Sequence, residues 1–219
     1  MRFLQKALSW IIAILLPVAM TFLGIRLLLT HVFPELEYRM PGFPADEYGF
    51  TLQDRLHWSK ISIDYLLNTA DITFLVDLTF MDGVPLFNDR ELSHMQDVKK
   101  VVQPVLFVGY GAWFLVLGFG LWARFAGWWP DYVRGIWRGG WLTVGLVAII
   151  GIFAAISFWQ FFTVFHALFF TGDSWQFLYS DTLIRLFPMR LWQDAFLFAG
   201  SLDVLGGLAL GLGLLPKRK

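Results

Sequence analysis

His94 and His166 are the side chains whose surroundings best suit proton-transfer chemistry. In the run FNDRELSHMQDVKK, Asn88 followed three positions later by Glu91 has the spacing of a helix-capping box, so a helix is expected to begin near Asp89. On such a helix Glu91, His94 and Asp97 share a face, with a carboxylate three residues to either side of the imidazole. A neighbouring carboxylate orients an imidazole, fixes its tautomer and raises its basicity, which is what a general base needs. His166 sits in FHALFF, where helical spacing places Phe162, Phe169 and Phe170 around it, so its ring would project from an aromatic surface. The competing readings are structural: a solvated cap leading into a membrane helix for the first run, and a hydrogen-bonded member of an interfacial aromatic belt for His166. A di-iron site is disfavoured, because such sites use two Glu-x-x-His copies and this chain has one.

The elements that must position these residues follow from composition. The chain has 219 residues, of which 57% are hydrophobic and 18% aromatic, too apolar for a soluble single domain. Four stretches are long enough to cross a hydrocarbon core as helix: 8–29, 101–122, 141–162 and 192–215. The first is too long for a signal-peptide core and is read as a retained anchor. Basic residues mark the expected cytoplasmic segments: Arg2 and Lys6, then Arg124, Arg134 and Arg138, then Lys217, Arg218 and Lys219, against the single acid Asp131. Residues 30–100 and 163–191 are then expected on the outer face, together with all four histidines, His31, His57, His94 and His166. His94 precedes Val101 by about 10 Å of helix and His166 follows Phe162 by about 6 Å, so both reach a similar depth if each helix continues.

The fold expected is therefore all-α and integral to the membrane, one domain over 1–219, with four transmembrane helices and an extracytoplasmic cap formed mainly by the first outer loop. That loop carries twelve acids against six bases and is too rich in aromatic and β-branched residues for a disordered linker. Within it TLQDRLHWSKISIDYLLN has helical spacing, PGFPADEYGF reads as irregular loop, and ADITFLVDLTFMDG fits strand or helix. The absence of cysteine excludes a cysteine nucleophile and a disulfide or zinc-thiolate framework. Nothing in the sequence carries a serine-hydrolase elbow, a zincin motif, a P-loop or a dinucleotide fingerprint, and no cofactor or metal is expected.

FNDRELSHMQDVKK before a membrane span, with FHALFFTGDSWQF and DTLIRLFP before a last span, closely resembles the bacterial lipoprotein intramolecular transacylases. The resemblance covers essentially the whole chain and implies an acyltransferase of the bacterial cytoplasmic membrane, with both termini cytoplasmic. It implies movement of the sn-2 acyl chain of a diacylglyceryl-cysteine lipoprotein onto the α-amino group of that cysteine, giving the lyso form. It also implies His94 and His166 as catalytic residues. Around them we expect Glu91, Asp97 and Arg185 in support, the carboxylates orienting His94 and Arg185 or the second histidine at the oxyanion. Phe87, Asn88, Arg90, Met95, Phe169, Phe170 and Trp175 are expected to bind substrate. The alternative from another class is a non-enzymatic membrane binding or assembly protein whose outer histidines are structural or bind a metal. No nucleic acid partner is expected.

Overall fold

The computed structural model describes residues 2–213. Nine helices are assigned there: α1 (Arg2–Leu28), α2 (Val32–Glu37), α3 (Leu52–Leu67), α4 (Thr73–Val76), α5 (Asp89–Phe125), α6 (Trp129–Ile156), α7 (Phe158–Phe169), α8 (Thr182–Leu186) and α9 (Met189–Gly213). Four of them, α1, α5, α6 and α9, are long and apolar enough to cross a membrane. Lys217, Arg218 and Lys219, like the last two residues of the expected span 192–215, lie outside the described residues.

The chain divides into two compact units. The first takes residues 2–26, 105–157 and 197–213, so it is built from the apolar lengths of the four long helices. Its helices approach one another where side chains are missing. A Cβ on Gly140 would fall 2.7 Å from the carbonyl of Gly207, and one on Gly207 would fall 2.8 Å from that of Gly140, so α6 and α9 meet almost backbone to backbone. α1 packs on α6 in the same way, at Gly135 and Gly139, against Ile12 and Leu16. This is the small-residue packing of helices in lipid, where burial of apolar surface offers no drive and close van der Waals contact must supply it. Asp203, buried in this unit, accepts a hydrogen bond from Thr21 at 2.8 Å.

The second unit comprises residues 27–104 and 158–196. α3 begins with a capping box between Thr51 and Asp54, and its apolar face packs into a cluster around Tyr65, Leu75, Leu86, Phe87, Met95, Leu183 and Leu186. A smaller cluster joins Tyr38, Leu56 and Leu191. The ambiguous run ADITFLVDLTFMDG resolves into the short α4 and an isolated bridge between Thr79 and Pro85, with no strand assigned among the described residues.

Two boundaries differ from the hydropathy reading. α5 runs 37 residues, about 55 Å of helix, so its charged start at 89–100 extends beyond the apolar length 101–122. The expected span 141–162 ends at Ile156, where Ser157 turns extended (φ −156°, ψ 101°) and α7 starts as a separate helix. His166 therefore stands on α7 and not on a continuation of the span. Apolar composition continues across the break, so hydropathy alone does not mark it; Phe158 and Phe161 instead pack on Phe196, with ring centroids 5.8 and 4.7 Å apart.

Candidate active site

His94 is held by the second turn of α5, and the first turn explains why that helix starts where it does. Asn88 accepts hydrogen bonds from the amides of Arg90 and Glu91, both at 3.1 Å, while Glu91 accepts from the amide of Asn88 at 2.8 Å. The capping box is thus closed in both directions. The other carboxylate oxygen of Glu91 accepts from the amide of Leu183 at 2.6 Å, at the start of α8. Glu91 is 1% exposed, and burial pushes its pKa up while the amide hydrogen bonds oppose that shift.

The expected role of Glu91 as an orienting partner of His94 is replaced by this one. Helical spacing does put the two on one face, but both carboxylate oxygens are taken by backbone amides that have no other acceptor at a helix start. Asp97 pairs with Lys100 at 2.8 Å and acts on His94 only at longer range.

His94 and His166, 72 positions apart in sequence, come together with ring centroids 6.2 Å apart and planes inclined by 23°. Each is 8% exposed. Phe170 and Phe177 meet the His94 ring edge-on at 4.9 and 5.4 Å; Phe162 and Trp175 cover His166 at 4.0 and 4.7 Å. His166 Nδ1 lies 2.8 Å from the carbonyl oxygen of Phe162, one turn back on α7. A carbonyl only accepts, so Nδ1 carries the proton and Nε2 presents its lone pair. His94 Nδ1 is buried with no hydrogen-bond partner. Burial, with the second imidazole adding to it, holds the pKa of His94 down at about 4, and burial lowers that of His166 as well. The site thus presents two neutral imidazoles in an aromatic enclosure.

A family model described as "Lipoprotein intramolecular transacylase Lit" matches residues 9–192. The chain belongs to this family. It is accordingly an acyltransferase, integral to the membrane. An uncharacterised protein of Aquifex aeolicus (strain VF5) is 32% identical over 219 residues, covering 98% of this chain and 97% of its own. The structure of the membrane integral lipoprotein intramolecular transacylase Lit from Bacillus cereus superposes with a TM-score of 0.67 at 16% identity, over 96% of this chain and 94% of that one. A variant of that enzyme with one histidine replaced by arginine superposes with a TM-score of 0.61 at 15% identity, over 97% and 91%.

In this transacylase the other residues singled out from the sequence fall into three places. Phe170 and Trp175 line the histidines, whereas Phe169 is 47% exposed and touches Phe165. Phe87 and Met95 are core residues of the second unit. Asn88 and Arg90 reach the segment after α7: the Asn88 side-chain Nδ2 donates to Asp181 at 3.1 Å and Arg90 to the carbonyl of Gln176 at 3.2 Å. Arg185 grips Asp46 at 2.9 and 3.1 Å and stacks on Phe50. His31 pairs with exposed Asp64 and His57 packs on Trp58, outside the aromatic enclosure. Among the described residues no group of three or more His, Asp and Glu converges as a metal site. Sequence reasoning missed Phe177, which has no helical spacing to either histidine, and Asp46, 139 positions from its partner Arg185.

Proposed function

We propose that this transacylase moves the sn-2 acyl chain of an S-diacylglyceryl cysteine onto the α-amino group of the same cysteine, with His94 and His166 doing the proton chemistry on the outer face of a bacterial cytoplasmic membrane. The observation that carries the reading is the meeting of two buried, neutral imidazoles from distant parts of the chain in one aromatic enclosure. The basic residues flanking the long helices support the orientation, with both termini cytoplasmic and the histidines outside.

The amine nitrogen attacks the ester carbonyl and becomes acidic as the N–C bond forms. A base kept neutral by burial is matched to that moment. It is too weak to take a proton from a free ammonium of pKa about 8, which must lose that proton to the interface first. His166 is the base, since its bond to Phe162 leaves Nε2 unprotonated and aimed away from the helix backbone. His94, neutral for the same reason, donates an N–H to the oxyanion. As the carbonyl–oxygen bond breaks, His166 returns the proton to the glyceryl oxygen, so the amide and the free hydroxyl form together. Both reacting groups belong to one substrate molecule, and the aromatic walls restrict its conformers and keep out the water that would hydrolyse the ester.

Expression in a bacterium lacking lipoprotein N-acylation, followed by mass spectrometry of a reporter lipoprotein's N-terminal peptide, tests this. The expected product has an N-acyl cysteine and one remaining O-acyl chain. His94→Ala and His166→Ala should each lower its yield by about 10²–10⁴-fold while the protein still inserts. A free amine with both O-acyl chains retained by the wild type would sink the reaction, and active alanine variants would sink the histidine roles.

A further inference from the structure

The second unit buries more positive than negative charge at a place the reaction does not use. Asp46, with its side chain 2% exposed, is gripped by Arg185 through both oxygens, and Nη2 of Arg55 lies 3.9 Å from one of them, Oδ1. Both guanidiniums are nearly sealed from solvent, at 11% and 8% exposure. Two cations thus share one carboxylate. Asp54, the next acid that Arg185 influences, is already bound by the amide and hydroxyl of Thr51 at the start of α3. Arg55 is the poorly satisfied member. One of its nitrogens donates to the carbonyl of Pro44 at 2.7 Å, its Nε is buried without a partner, and its guanidinium lies over the rings of Tyr38 and Phe43 at 5.8 and 5.4 Å. A buried cation short of counter-charge is costly, and among the described residues Asp46 alone lies within ion-pair distance of Arg55.

Beside this cluster lies a cavity of about 290 Å³, lined among others by Phe43, Ala45, Asp46, Phe50 and Arg55. That is room for a tetrahedral anion and several waters, each of which takes ~30 Å³ of liquid. The guanidinium fork suits phosphate oxygens, and the aromatic walls suit the carbon body that a phosphoester carries. We propose that this cavity is a phosphate-binding site, in which Arg55 is the main ligand, Arg185 adds its charge and Asp46 keeps the two cations apart. The group is either the phosphate of an anionic phospholipid or free phosphate. The inference does not depend on the roles given to His94 and His166.

The test uses the full-length protein, with thermal unfolding as the readout, since a ligand of the folded state raises the midpoint with concentration. In detergent, inorganic phosphate is titrated against chloride at equal ionic strength. In a second arm, nanodiscs of phosphatidylcholine alone are compared with nanodiscs containing phosphatidylglycerol. We expect a midpoint increase in at least one arm, phosphate identifying a free-anion site and phosphatidylglycerol a lipid one. The response should weaken at least tenfold in apparent affinity for Arg55→Lys. Ala45→Glu places a carboxylate in the cavity without removing any contact, so it should fold like the wild type and lose the response. No response in either arm, or an undiminished response in both variants, overturns the site.

Discussion

The two units of this transacylase hold themselves together by opposite means. In the first, close approach depends on what is absent: Gly140 faces Gly207, and Gly135 and Gly139 admit Ile12 and Leu16, so backbone lies against backbone or a single side chain. In the second, distant segments are joined by side chains that reach for backbone groups. Thr182 donates to the carbonyl of Leu86 at 2.6 Å, Tyr38 to that of Leu186 at 2.8 Å, Arg90 to that of Gln176, and Glu91 receives Leu183. The difference follows from the solvent. Surrounded by acyl chains, a helix gains nothing by hiding leucine and must gain by contact. Outside a hydrocarbon core, burying apolar clusters is itself favourable, and each backbone group buried with them must then be given a partner. The site belongs to the second scheme, because a reaction between polar atoms needs groups held by direction as well as by fit.

Substitutions that exchange the rules break the comparison. The largest effect on stability is expected at Glu91. Glu91→Ala strips the buried amides of Asn88 and Leu183 of their acceptor, at about 1–3 kcal/mol for each unsatisfied group. A loss of roughly 4 kcal/mol in detergent unfolding, with Glu91→Gln recovering part of it, is the expected result. A loss under 1 kcal/mol would show that the junction between the starts of α5 and α8 is not held this way. In the first unit, Gly207→Leu should cost about 1–3 kcal/mol, since its Cβ meets the Gly140 carbonyl and α9 must move. Gly145→Leu on α6, where a Cβ meets nothing within 4 Å, should be close to neutral in the same assay. Equal costs at the two glycines would mean that the close approach of α6 and α9 carries no weight.

How much of this was legible depended on the range over which each feature is encoded. The four long helices are written in hydropathy over 20 residues, and the α5 cap in the local pair Asn88 and Glu91; both are present in the structure. The second acceptor role of Glu91 was not legible, because Leu183 lies 92 positions away and a backbone amide leaves no trace in residue type. That Arg185 could pair with an acid was legible, but which acid was not, because Asp46 lies 139 positions away. The break at Ser157 escaped because neither proline nor glycine marks it and the flanking phenylalanines read as membrane. The nearness of His94 and His166 was expected from the resemblance and from depth along the two helices. The depth argument assumed that His166 continues the third span, whereas α7 is a separate helix.

A small effect, of about 1 kcal/mol, isolates the site from the rest of the second unit. His94 has an ordinary pKa near 6.5 when exposed and about 4 in the folded protein, because burial disfavours its charged form. Between those two values the unfolded chain binds more protons at this residue than the folded one does. The stability contributed by neutral His94 is therefore fully present above pH 6.5 and is lost as pH falls towards 4, at about 1 kcal/mol per pH unit. Glu37 works in the opposite direction. Burial and a hydrogen bond with Asp194 raise its pKa to about 7, so its contribution is present below pH 4.5 and is lost as pH rises to 7. Glu91, also raised by burial, has the same sign as Glu37. The overall stability curve of the protein is thus expected to be shallow, and the information lies in a difference. His94→Phe, whose ring suits the contacts with Phe170 and Phe177, removes one titration and leaves the carboxyls in place. From pH 6 to pH 5 the variant should gain about 1 kcal/mol on the wild type in detergent unfolding. A constant gap between the two across that interval would mean that His94 is solvated, and the neutral imidazole on which the oxyanion role rests would be lost with it.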